Sequence, residues 1–194
     1  LTKDLHKGVP FFFFFACVTT LHHASPLLRA PHMTLALNSL VTDIALPMTT
    51  AVIGESQQFK LSDYRGKTVV LYFYPKDNTP GCTSESIAFR ESHEAFLAAN
   101  AVIFGVSRDS LKSHDNFKNK IELPFELISD PEEQLCAQFD VIKQKMMYGK
   151  QVRGIERSTF VINADSTLIQ EWRKVRVANH VEDVLSFVKT LASH

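Results

Sequence analysis

Residues 67–75 read KTVVLYFYP, an unbroken β-branched and aromatic run after Tyr64-Arg65-Gly66. That pattern predicts a strand buried on both faces, at the centre of the fold. Polar punctuation follows at once. Thr79 as cap, Pro80 at the first helical position and Glu85 in the opening turns predict a helix from about Thr79, continued by Ile87, Phe89, Phe96 and Leu97. A second apolar run, 101–106, and a polar stretch carrying Leu111, Phe117 and Ile121 repeat this strand–helix unit.

Residues 125–128 predict a short strand, and Ser129-Asp130-Pro131-Glu132-Glu133 a helix start leading to Cys136. Two more strands, 159–162 and 168–172, flank the four-residue turn 163–166 and should pair antiparallel. Val184, Leu185, Val188 and Leu191 stand at helical spacing and predict a closing amphipathic helix. Residues 143–154 carry no periodic pattern and are expected to be a surface loop. The sum is an α/β fold with a central mixed β-sheet flanked by helices.

Residues 1–32 break the pattern. They pass Lys3 and Lys7 and run through five consecutive phenylalanines, Phe11 to Phe15. The preferred reading is an extension ahead of a natural start at Met33, which leaves Cys17 outside the chemistry and residues 33–194 as a single domain. The alternative is an export signal over 9–18, too short for the roughly twenty apolar residues that span a bilayer.

Of the 194 residues, 45% are hydrophobic and 22% charged, the balance of an ordinary globular protein. Lys plus Arg and Asp plus Glu number 21 each, so no net field draws the chain to nucleic acid or a membrane surface, and neither is expected as a partner. The three cysteines, Cys17, Cys82 and Cys136, form no Cys-x-x-Cys pair and no disulfide framework, which fits a reducing, cytoplasmic location. No histidine stands at ligand spacing with a second one, and neither a metal nor a cofactor is expected.

Candidate chemistry centres on Cys82. A free thiol of ordinary acidity is mostly protonated at neutral pH, so a nucleophilic cysteine needs its anion stabilised. The start of a helix entered from a core strand supplies free N–H groups and a positive dipole end. Thr79, one turn earlier, could turn its hydroxyl toward the sulfur, and Pro75 could wall off water without offering a competing N–H. From the residues alone a second reading is as good: Thr79 as a plain cap and Cys82 as a small buried residue.

The segment Pro75-Lys76-Asp77-Asn78-Thr79-Pro80-Gly81-Cys82-Thr83 resembles the Pro-x-x-x-Thr-x-x-Cys pattern of peroxiredoxins, and its wording resembles their bacterioferritin-comigratory or peroxiredoxin Q branch. The resemblance extends over about residues 35–191. It implies a thioredoxin-like fold, a monomer, and a peroxidase that reduces hydrogen peroxide and organic hydroperoxides through a Cys82 sulfenic acid. It also implies that Arg157, in Glu156-Arg157-Ser158-Thr159, contacts the thiolate and the peroxide, and that Glu85 orients this arginine. The alternative for Arg157 is a simple ion pair with Glu156 or an exposed carboxylate.

Many members of this branch carry a resolving cysteine five residues after the reactive one, where this chain has Ile87. The oxidised Cys82 then needs an external thiol: thioredoxin, glutaredoxin or a small thiol. Cys136, beside Leu135 and Phe139, is expected to be an inert core residue rather than a resolving one. The competing functions are a non-catalytic peroxide sensor and a general thiol–disulfide oxidoreductase, the latter disfavoured because Cys82 has no Cys-x-x-Cys partner.

Overall fold

The computed structural model describes residues 35–147 and 149–192, with the backbone alone for 145–147 and 150. The expectations for residues 1–32, for Cys17 and for a start at Met33 lie outside the described residues.

In chain order the elements are β1 (Leu46–Met48), β2 (Gln57–Phe59), a 3-10 turn (Leu61–Tyr64), β3 (Thr68–Phe73), α1 (Pro80–Ala98), β4 (Ala101–Ser107), α2 (Leu111–Lys120) and β5 (Glu126–Ser129). There follow α3 (Gln134–Gln138), β6 (Ile142–Met147), β7 (Lys150–Ile155), β8 (Ser158–Ile162), β9 (Leu168–Trp172) and α4 (His180–Ala192). Seven strands form one mixed sheet in the order β2-β1-β5-β4-β3-β8-β9. β3 runs parallel to β4 and antiparallel to β8, so the apolar run at 67–75 does occupy the interior of the sheet.

The alternation of β3 divides the core. Val69, Leu71 and Phe73 join Leu135, Cys136, Phe139 and Phe160 on one side. Val70, Tyr72 and the following Tyr74 join Cys82, Phe89, Phe96, Phe117, Val184 and Val188 on the other, where α1 and α4 pack. Successive strand side chains point to opposite faces, so a strand covered on both sides must be apolar throughout. Gly105, opposite Tyr72, has no room for a side chain: an added Cβ would lie 2.6 Å from the Tyr72 hydroxyl oxygen. That space lets Tyr72 reach Ser86 on α1, Oη to Oγ 3.0 Å.

Two expectations are corrected. Residues 143–154 are not a loop but most of the β6–β7 hairpin, paired from Ile142↔Ile155 to Met147↔Lys150 as a separate two-stranded sheet. Among the side chains described, apolar burial lies at its base, at Val141 and Ile155, while Gln144, Arg153 and Val152 are exposed, and the sequence of the strands carries no regular apolar period. The helix expected from Ser129–Glu133 begins later and is short. Residues 131–132 form a turn, Glu133 takes a left-handed conformation (φ 58), and α3 starts at Gln134. Asp130 still caps it, its carboxylate accepting from the Gln134 and Cys136 amides at 2.7 and 2.8 Å. The β8–β9 pair forms as expected, with a five-residue connection and an irregular register at Val161/Ile162. Among the described residues no helix is long and apolar enough to cross a membrane.

Candidate active site

Cys82 is the third residue of α1, where amides have no intrahelical acceptor. It is 1% exposed and a free thiol. Arg157, 75 positions later and just ahead of β8, is brought against it because β8 pairs with β3, the strand that leads into this helix. Its Nη2 donates to Cys82 Sγ at 3.2 Å, while Nη1 donates to Glu85 Oε2 one turn along α1. The guanidinium thus bridges the thiol and a carboxylate with two different nitrogens, a geometry a lysine cannot reproduce. Sγ thus lies beside a fixed positive charge, at a helix start whose first amides have no intrahelical acceptor.

The Glu85 side chain is wholly buried, and that burial pushes its carboxyl up to about 7, against the opposing pull of Arg157. Its second oxygen, Oε1, has no hydrogen-bond partner. Arg157 therefore pairs with Glu85 and not with its neighbour Glu156.

Thr79 has the extended backbone of an N-cap, yet its side chain makes no cap bond; the hydroxyl donates to the Lys76 carbonyl at 3.1 Å. Among the described residues, the oxygen's lone pairs accept no hydrogen bond. Pro75 is exposed and lines an open cleft of about 460 Å³ with Glu156, Arg157, Lys174 and Val175.

What holds the loop between β3 and α1 left no trace in the sequence pattern. Asp77, 5% exposed, accepts from Tyr74 Oη (2.8 Å) and Ser113 Oγ (2.7 Å), lies 3.0 Å from His114 Nδ1, and its amide donates to Asp109 at 2.8 Å. Burial alone would raise the Asp77 carboxyl, but these hydrogen bonds outweigh it and leave it lowered. The loop is tied to α2 by a satisfied, buried polar network. Asp77 sat inside the quoted motif; His114, isolated in the sequence, carried no signal.

Cys136 lies on the opposite side of the sheet, fully buried. Burial, reinforced by the facing Asp130 carboxylate, pushes its thiol far up. The structure brings together Cys82, Arg157 and Glu85, sets Thr79 at the head of the same helix and Pro75 at the cleft Arg157 lines, and keeps Cys136 apart.

A cysteine at a helix start fed by the central strand of a mixed sheet, with an arginine returned to its sulfur, defines a thiol enzyme of thioredoxin-like architecture. The chain belongs to the AhpC/TSA family, which residues 38–171 match. It is similar to peroxiredoxin Bcp of Bacillus subtilis, 55% identical over 133 residues that cover 69% of this chain and 85% of the relative. Against peroxiredoxin Bcp of Xanthomonas campestris it is 48% identical over 158 residues, 78% of this chain and 99% of the relative. Among solved structures, the Xanthomonas campestris bacterioferritin comigratory protein, studied for alkyl peroxide reduction, superposes with a TM-score of 0.71 at 49% identity, covering 77% of this chain and 92% of that one. A cysteine-to-serine mutant of Xylella fastidiosa PrxQ superposes with a TM-score of 0.76 at 41% identity, covering 82% and 99%. The peroxiredoxin resemblance of residues 75–83 and the thioredoxin-like fold it implied both stand.

Proposed function

We propose that this protein is a thiol peroxidase with a one-cysteine cycle. The Cys82 thiolate attacks one oxygen of hydrogen peroxide or an organic hydroperoxide; the O–O bond breaks, the sulfur becomes a sulfenic acid, and the other oxygen leaves, with a proton, as water or an alcohol. The observation that carries the reading is the Arg157 contact, 3.2 Å from the sulfur and locked by Glu85. Held there in advance, the guanidinium meets charge as it develops on the leaving oxygen, at little reorganisation cost. Thr79, whose own proton is committed to Lys76, accepts the peroxide O–H and orients it. Pro75 borders the entrance and, lacking an N–H, does not compete.

The second half of the cycle is external. Position 87 is isoleucine. The Xanthomonas relative has been studied in two separate cysteine-to-serine mutants; counted on from Cys82 at the spacing between those two positions, this chain has Lys118, on α2. Lys118 is itself committed, donating to the Thr50 carbonyl and to Glu126. Cys136, across the sheet with a raised pKa, is a core residue in this reading. An outside thiol, whether thioredoxin, glutaredoxin or a small thiol, therefore returns Cys82 to the reduced state. A reducing, cytoplasmic setting and a monomeric working form complete the reading, on the sparse cysteines and the branch resemblance.

Stopped-flow mixing of the reduced protein with hydrogen peroxide tests it. Trp172, the single tryptophan, packs on the cluster that contains Cys82 and supplies the signal. Oxidation far faster than that of free cysteine, and absent in Cys82→Ser, is expected. A rate no greater than free cysteine's would overturn the peroxidase reading.

A further inference from the structure

The one-cysteine cycle requires a thiol to reach Cys82 from outside, and the cleft beside Arg157 holds two charges that the mechanism does not use. Glu156 is 7% exposed, yet among the described residues its carboxylate makes no hydrogen bond or ion pair. Glu156 lines an open cleft with its carboxylate unpaired, so a cation entering the cleft finds an uncommitted anionic acceptor there. Lys174 is exposed, and its ammonium likewise has no partner among the described residues. The backbone holds it in place: Lys174 sits at φ 52, a left-handed conformation that a lysine rarely adopts, and the next amide, Val175 N, donates to the Arg157 carbonyl at 3.0 Å.

Glu156 and Lys174 do not pair with each other, yet both line the 460 Å³ cleft with Pro75 and Arg157, and both line an adjoining groove of about 840 Å³. In that groove Lys143 is engaged by Asp140, and Arg173 by Glu171 and the carbonyls of Phe139 and Asp140. Among the described residues, one free negative and one free positive charge remain in the cleft that Arg157 also lines. We propose that Glu156 and Lys174 receive the ammonium and the carboxylate of a small amino-acid thiol, and that this zwitterion is the reductant of Cys82.

This rests on the one-cysteine reading and deepens it. The bound thiol's sulfur attacks Cys82 Sγ, forming a mixed disulfide; the sulfenic hydroxyl leaves as water with the thiol's proton. A second thiol attacks the ligand's sulfur, releasing Cys82 thiolate and a symmetric disulfide, so two thiols supply the two electrons the peroxide consumed.

The experiment uses the full chain, oxidised with one equivalent of hydrogen peroxide and mixed in turn with four probes. These are L-cysteine, 3-mercaptopropionate (no ammonium), cysteamine (no carboxylate) and 2-mercaptoethanol (neither). Mixed-disulfide formation is followed by intact mass, with each rate corrected for the probe's thiolate fraction. L-cysteine should exceed the others by about tenfold, the order expected of two partly exposed charge contacts. Glu156→Gln should erase its advantage over 3-mercaptopropionate, and Lys174→Met its advantage over cysteamine. That crossed pattern is one a general structural defect does not produce. Equal corrected rates for all four probes, or variants that slow all four alike, overturn the inference. Dimedone labelling of Cys82 before the thiol is added separates the two failures. No label sinks the peroxidase reading and this inference with it, whereas a label followed by indifference to probe charge sinks the inference alone.

Discussion

Cys82 and Cys136 occupy the same local position, the third residue of a helix, and both are buried, yet their surroundings differ in sign. Cys82 opens a 19-residue helix and faces a guanidinium. Cys136 opens a five-residue helix, its amide is already taken by Asp130, and the same carboxylate faces its thiol. A helix start favours a thiolate only while its amides are free and the nearest charge is positive. The sheet also separates the two, since the β3 residues that touch one cluster alternate with those that touch the other.

Removing the positive charge from the Cys82 side should have the largest effect. Arg157→Met is expected to slow sulfenic-acid formation by about 10²–10³-fold, the usual cost of losing one pre-placed donor at a developing charge. Arg157→Lys should recover little of it, because one ammonium cannot hold Glu85 and the sulfur in a fixed fork. Stopped-flow rates near wild type in Arg157→Met would reduce the contrast between the two cysteines to helix position alone.

Glu85 sharpens the contrast through pH. Its carboxyl is raised from 4.5 to about 7, with burial the larger influence and Arg157 opposing. Folding therefore favours the protonated form, and its stabilising contribution is complete below about pH 4.5 and lost as pH rises through about 7. Relative to Glu85→Gln, the wild type should lose on the order of 3 kcal/mol of stability across that window, read from urea unfolding at a series of pH values. His180, held down to about 4 mainly by burial, acts in the opposite sense: its contribution is complete above pH 6.5 and lost as pH falls through about 4. Because it is common to both proteins, it drops out of the difference. A flat difference curve would mean that Glu85 does not titrate in this range.

The smallest effect belongs to the other side of the sheet. Cys136→Ser should leave steady-state peroxide turnover within about twofold of wild type, as expected for a thiol whose burial and carboxylate neighbour keep it protonated. Loss of turnover in that variant would make Cys136 the resolving thiol and end the one-cysteine cycle.

The elements best read from the sequence are those whose burial imposes a period. β3 and β4, covered on both faces, are continuous apolar runs, and α4 carries a regular apolar stripe. The β6–β7 hairpin was missed because its sequence carries no regular apolar period, and the late start of α3 because Pro131 entered a turn instead of a first helical position. At the site, Cys82 and Thr79 were legible as a helix start, whereas Arg157 could be named only through the family resemblance. Glu156 was named only as an alternative partner for Arg157, and neither Lys174 nor the pairing of Asp77 with His114 was foreseen.

By itself the sequence determined the βαβ core and the placing of Cys82 at a helix start, because hydrophobic period and capping chemistry act over a few neighbouring residues. The tertiary structure alone decided which charge each cysteine meets. The pairing of β3 with β8 carries Arg157 across 75 positions to one sulfur, and the turn before α3 sets Asp130 against the other. Contacts so distant, or so dependent on where a helix begins, leave no periodic trace in the chain, because they arise from how its elements pack.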